Sequence, residues 1–141
     1  MRGRSKRNPA RGPESGAVAV EFAILGPVFL VMMIGVMVWG QYFWISHAVQ
    51  QLANDSARAA LAGLDATERE ALARATLAAE VADYANMKAA QATLKIDDSA
   101  ERMTVSISYD TTGAIYGIFS GLVPAPPKIV LRQATVRMGG Y

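Results

Sequence analysis

Reactive side chains are few in this 141-residue chain. It has no cysteine, which excludes a disulfide framework, a thiolate metal site and a thiol nucleophile. Its single histidine, His47, has no second imidazole with which to share an ion, and no Gly-rich phosphate loop occurs. Asp97 and Asp98 read as a tight turn, since two adjacent carboxylates do not cage a cation. Glu68 and Glu70 stand where negative charge favours the positive end of a helix dipole, and His47 reads as an interfacial or helix-surface residue. No nucleophile, base and orienting group fall together. The chain is expected to be non-enzymatic, with no cofactor and no metal.

Glu21 is the exception. It follows Gly16 by five residues and stands at the head of a run, residues 22–40, that contains no Asp, Glu, Lys or Arg. The 19 residues of that run make roughly 28 Å of helix, close to the thickness of a bilayer's hydrocarbon core. A carboxylate at the mouth of such a span is costly unless it stays among the headgroups or finds a partner. Cutting the peptide bond after Gly16 would supply one. Ala17 would become a positively charged N-terminus with Glu21 as its fifth residue. In a helical assembly of such subunits the acid would pair with a neighbour's amine, an interaction stronger in low dielectric than in water.

The elements around these residues follow from charge and periodicity. Residues 1–16 hold five Lys/Arg against one acid, a net charge of +4, while the rest holds nine against eleven, a net charge of −2. The basic head is rich in Gly and Pro and nearly free of apolar residues, so it is expected to be a disordered leader. It has no aromatic residue for base stacking, which argues against nucleic acid as a partner. Lys and Arg ahead of an apolar span keep that end cytoplasmic and send the remainder outside. The run is too long for a cleaved secretory signal, so the expectation is a single-pass protein, its span over residues 17–45 and an extracytoplasmic head over residues 46–141. Pro27, after Gly26, should kink or loosen the helix. Trp39, Tyr42 and Trp44 crowd its far end, where amphipathic rings anchor at a membrane surface. As core residues of the head, Trp44 is the better candidate and Trp39 the poorer.

Beyond the span, Ile45, Val49, Leu52, Ser56, Ala60 and Leu64 recur at helical spacing opposite Gln50, Gln51, Asn54, Asp55 and Arg58. One helix is expected over residues 17–62, capped by Gly63. Thr67 to Glu70 has the form of a capping box, and a second, alanine-rich helix is expected over residues 67–92 with Leu72, Thr76, Val81, Tyr84 and Met87 or Lys88 roughly on one face. Leu94 and Ile96 lead into a turn at residues 97–102. Met103, Val105, Ile107 and Tyr109 then alternate with polar residues, a half-buried strand that completes a hairpin. Residues 110–127 read as a loop with an apolar middle that covers the sheet or forms a short helix. Residues 128–138 form a last strand with Val130, Ala134, Val136 and Met138 on one face. The class is α+β: a long N-terminal helix that leaves the membrane, a second helix and a small antiparallel sheet of about three strands.

At this point the chain resembles a known family. Gly16, four small or apolar residues, Glu21, Phe22, Ala23 and Pro27 look like the opening of TadE-like minor pseudopilins of the tight-adherence (Tad, or Flp) pilus, relatives of type IV pilins. The run Asp55-Ser56-Ala57-Arg58-Ala59-Ala60 and the closing Ala134-Thr135-Val136-Arg137 are similar as well. Ser15, where the family often has a basic residue, and Ala17, where type IV pilins have a bulky one, depart from the pattern. The resemblance implies a pilin-like fold and a bacterial inner-membrane protein cleaved between Gly16 and Ala17 by a prepilin peptidase. It implies Glu21 and Phe22 as the residues that set subunit registry. As partners it implies the membrane, other pseudopilins and the major pilin, with an assembly platform and its ATPase acting indirectly. The alternative is an uncleaved signal anchor holding a small extracytoplasmic binding domain.

Overall fold

The structure, a computed structural model, describes residues 13–119 and 121–138. The basic stretch expected to be disordered lies, for residues 1–12, outside the described residues. Helix α1, Pro13–Ala60, is followed by α2, Ala66–Val81, a 3-10 turn, Ala89–Gln91, and strands β1, Ala92–Asp98, and β2, Arg102–Asp110. A second 3-10 turn, Ile115–Phe119, precedes β3, Ile129–Arg137. The expected α+β architecture is the one observed. α1 starts three residues ahead of Gly16, with a proline at its first position, where a missing N–H costs nothing.

The three strands form one antiparallel sheet in the order β1-β2-β3. Ile107 pairs with Leu94 on one side and Arg132 on the other. That register puts Leu94, the four odd-numbered residues of β2 from Met103 to Tyr109, and Val130 on one face. All six are buried, against α1 and α2. The other face carries Lys95, Thr104, Ser106 and Thr135, with Thr104 and Thr135 hydroxyls 3.0 Å apart. The alternation expected for β2 is present along its length, because only one face of the sheet has a helix to cover it.

α1 supplies the spine of the core. Ile45, Val49, Leu52, Ser56 and Ala60 are buried as their spacing foretold, whereas Leu64 lies past the helix end and is 89% exposed. Small residues, Ala48, Ala53 and Ala57, are buried beside them and let the neighbouring elements approach. α2 packs on α1 through Ala73, Leu77 and Val81, a stripe at four-residue spacing. Of the expected stripe Val81 is buried, whereas Leu72 and Thr76 each lie one position before a buried residue and are only half-buried. In an alanine-rich helix several faces are nearly equal in hydrophobicity, and the docking partner chooses among them.

Three further expectations are corrected. α2 ends at Val81, not near residue 92. Asn86 takes a left-handed backbone (φ 66) and Met87 turns back into the core. Helix propensity distinguishes ordinary residues by well under about 1 kcal/mol each, less than the gain from burying a methionine, about 1.5–3 kcal/mol. The cap of α2 is Asp65, not Thr67. Its Oδ1 accepts from the Glu68 N–H at 2.8 Å, while Glu68 Oε2 accepts from the Leu64 N–H at 2.8 Å. This is the reciprocal logic of a capping box, moved two residues upstream. Gly63 is not a left-handed cap either, because α1 closes through i→i−3 bonds onto Arg58, Ala59 and Ala60. A Cβ at Gly63 would lie 2.7 Å from the Arg69 backbone nitrogen, so the glycine is required for close approach.

Candidate functional site

Where α1 leaves the head, its side chains have no protein partner. Every residue from 16 to 33 is exposed except the half-buried Gly26. Among them Phe22 is 76%, Ile24 65%, Val28 64% and Leu30 60% exposed. Such a surface is not stable against water, and α1 is the one helix among the described residues long and apolar enough to cross a membrane. The head first closes around it at Ile34 and Val38, the latter buried. The uncovered length, residues 17–33, is 17 residues or roughly 26 Å. The bare segment is therefore close to the shortest stretch that spans a hydrocarbon core.

Gly16, Ala17, Glu21 and Phe22 all lie on the first turns of this bare segment. Glu21 follows Ala17 by four residues, one turn and roughly 6 Å along the axis, on the same helical face. Glu21 is exposed and makes no hydrogen bond or ion pair among the described residues. The Gly16-Ala17 bond is helical and open, with nothing within 4 Å of a Cβ at Gly16. At Pro27 the helix continues unbroken; the proline leaves the Ala23 carbonyl without its intrahelical donor.

The aromatic group at the far end divides differently from expectation. Trp39 and Tyr42 pack against the head's core, whereas Trp44 is 43% exposed and meets Tyr84 edge-on at 6.3 Å. Thus Trp39, expected to be the poorer core residue, is the one in contact with the core. Trp39, Tyr42 and Phe43 form a cluster of tilted and edge-on rings 5.8–6.1 Å apart, and Phe43 is 56% exposed. The cluster begins six residues beyond the bare segment, where the head has closed on α1. His47 is exposed on the helix surface.

Within the head, a cleft of about 450 Å³ lies between α1 and the end of the sheet, bordered by Gln41, Asn86, Lys88, Gln91, Tyr109 and Thr112. Tyr109 donates to Gln91 Oε1 at 2.8 Å and accepts from the Lys88 N–H at 3.0 Å, which closes its floor. Gln41 Oε1 is buried there without a hydrogen-bond partner. No group of three His, Cys, Asp or Glu side chains among the described residues is placed to hold a metal ion.

Sequence reasoning did not foresee how far the head reaches down the helix. The β2–β3 connection brings Val123, itself buried, to Gly35, where an added Cβ would lie 3.8 Å from Val123 Cγ1. The available signal was the stretch 111–127, which contains no charged residue.

Residues 16–58 match the family model described as TadE-like protein. No curated protein and no solved structure matches the chain. The matched segment starts at the glycine of the candidate cleavage bond and ends two residues before α1 does. Over that segment, and over less than half of its length, the chain is similar to the TadE-like family.

Proposed function

We propose that the protein is a TadE-like minor pseudopilin that takes part in assembling a Tad/Flp-type pilus, with a structural and non-enzymatic role in adhesion or secretion. One observation carries the reading. The first part of the segment matched to the family, residues 16–33, has its apolar side chains left bare, and it carries a single unpaired carboxylate one turn from Ala17. A buried core helix of a soluble domain would have its apolar faces covered.

In this reading the span holds the chain in the bacterial inner membrane, with residues 1–16 cytoplasmic and the head periplasmic. A prepilin peptidase cuts between Gly16 and Ala17. The new amine has its own Glu21 within one turn, so in an isolated subunit the two charges lower each other's cost in lipid. In a fibre the same carboxylate turns to the amine of the adjacent subunit and, with Phe22, sets the register against other pseudopilins and the major pilin. The unpaired Ala23 carbonyl leaves the helix at Pro27 free to bend during extraction by the platform and its ATPase.

N-terminal sequencing of the membrane fraction from cells that make the peptidase is expected to begin at Ala17; a chain that still starts at Met1 would overturn the reading. Glu21→Ala is expected to insert normally and to fail in fibre incorporation, and normal piliation would remove the registry role.

The cleft beside Gln41 favours one second reading. An uncleaved, signal-anchored protein could use that polar recess, with its unpaired Gln41 oxygen, to hold a small ligand. It requires that Met1 persist and that Glu21 be dispensable.

A further inference from the structure

The connection between β2 and β3 is long for a hairpin and has an unusual composition. Seventeen residues, 111–127, separate Asp110 from Lys128 without one Asp, Glu, Lys or Arg among them. Connections of this length inside a small domain are mostly functional. The base is clamped: Thr111 is buried, its N–H donates to the Lys128 carbonyl at 2.8 Å and its hydroxyl to the same oxygen at 2.7 Å. Asp110 Oδ1 accepts from the Thr112 N–H at 2.8 Å. Beyond the clamp the loop is ordered by its own backbone. The Gly117 N–H donates to Ala114, and those of Leu122 and Val123 both donate to Phe119. This order leaves two large apolar side chains uncovered, since Ile118 is 77% and Leu122 59% exposed.

The direction of the loop explains that exposure. Phe119 packs on the head's core and Val123 touches α1 at Gly35. Gly35 lies four residues, roughly 6 Å, below Trp39 on the helix axis and two residues beyond the bare segment. Any placement of the span that keeps residues 22–37 in lipid puts the level of Val123 at or beneath the headgroups. A charged loop would be excluded from that depth, and this one has no charge. Its irregular backbone keeps it out of the hydrocarbon proper, where unpaired carbonyls find no water. The headgroup–acyl boundary suits both halves of its chemistry.

We infer that the 111–127 loop is a second membrane contact: with Ile118 and Leu122 it docks onto the outer-leaflet surface beside the span and fixes the head's tilt on the bilayer. The inference rests on α1 crossing the membrane and goes beyond it, because a span alone leaves the head free to swing away from the lipid.

The absence of cysteine allows single-cysteine labelling. The full chain would be reconstituted in phosphatidylcholine vesicles with a shallow doxyl-labelled lipid. An environment-sensitive dye would be attached at Ile118→Cys or Leu122→Cys, at Met32→Cys within the span, and at Ala100→Cys on the β1–β2 turn. All four sites are exposed, so labelling leaves the core intact. The expected result is blue-shifted emission and lipid quenching at Ile118, Leu122 and Met32, with Ala100 unquenched by lipid. Ile118 and Leu122 behaving like Ala100 while Met32 is quenched would overturn the loop contact and leave the span standing. An unquenched Met32 would overturn both.

Discussion

Arg69 Nη1 lies 3.0 Å from Asp98 Oδ2, and the same guanidinium donates from Nε to the Gly63 carbonyl at 3.1 Å. One side chain thus ties the α1–α2 corner to the end of β1, elements that otherwise meet only lightly. Both partners are largely covered, with side-chain exposures of 23% and 16%, so the pair is less screened than a surface bridge.

Arg69→Met is therefore expected to destabilise the full chain in detergent by about 1–3 kcal/mol, because it leaves the Asp98 carboxylate and the Gly63 carbonyl half-buried without donors. Arg69→Lys should recover only part of the loss, since a single ammonium cannot reproduce the guanidinium fork. Denaturant titration of the near-ultraviolet signal gives the comparison. Equal stability for wild type and Arg69→Met would show that the pair contributes nothing.

Gly63→Ala is expected to be as harmful although it adds one methyl group. The new Cβ would lie 2.7–2.9 Å from the backbone nitrogen, Cα and Cγ of Arg69, and backbone atoms cannot give way as a side-chain tip can. Overpacking of this kind costs about 1–3 kcal/mol. If Gly63 acted as a helix cap alone, with no close contact, the loss would stay well below that and would not depend on Arg69. A double-mutant cycle with Arg69→Met separates the two.

Tyr109→Phe is expected to cost about 1–3 kcal/mol for the unpaired donor it creates. The hydroxyl is the partner of the Lys88 N–H, at 3.0 Å, and of Gln91 Oε1, at 2.8 Å. The ring stays in place, so hydrogen exchange at Lys88 should accelerate while the sheet amides remain protected. Unchanged protection at Lys88 would contradict this.

Glu80 yields a pH-dependent prediction. Burial, then repulsion from Asp55 and Asp83, raises its carboxyl above the ordinary value. The folded chain therefore holds this proton more tightly than the unfolded one. Ionisation costs stability as pH rises from about 4.5 through the raised folded value, and the cost persists above it. Glu80→Gln is expected to raise the thermal midpoint near pH 7, on the order of 2 °C given the solvent screening of a half-exposed group. Below pH 4, where the wild-type side chain is also neutral, the two midpoints should coincide. A gain that is the same at both pH values would point to packing instead of charge.

The span, the lone carboxylate, the β2 alternation and the α+β order were legible in the chain because each depends on local composition or on a short period. Nineteen uncharged residues need no tertiary partner to be apolar, and alternation in β2 reports one covered face wherever that face points. The end of α2 and its cap were not legible, nor was its buried stripe apart from Val81. Ala73 and Leu77 sit among near-equivalent faces of an alanine-rich segment, and the chain reversal at Asn86 that carries Met87 into the core is a long-range effect. The same holds for the placement of Trp39 against the head and of Val123 at Gly35. Hydrophobicity along the chain determined that this protein has a membrane-length helix, whereas only packing between distant segments decided where on that helix the head begins.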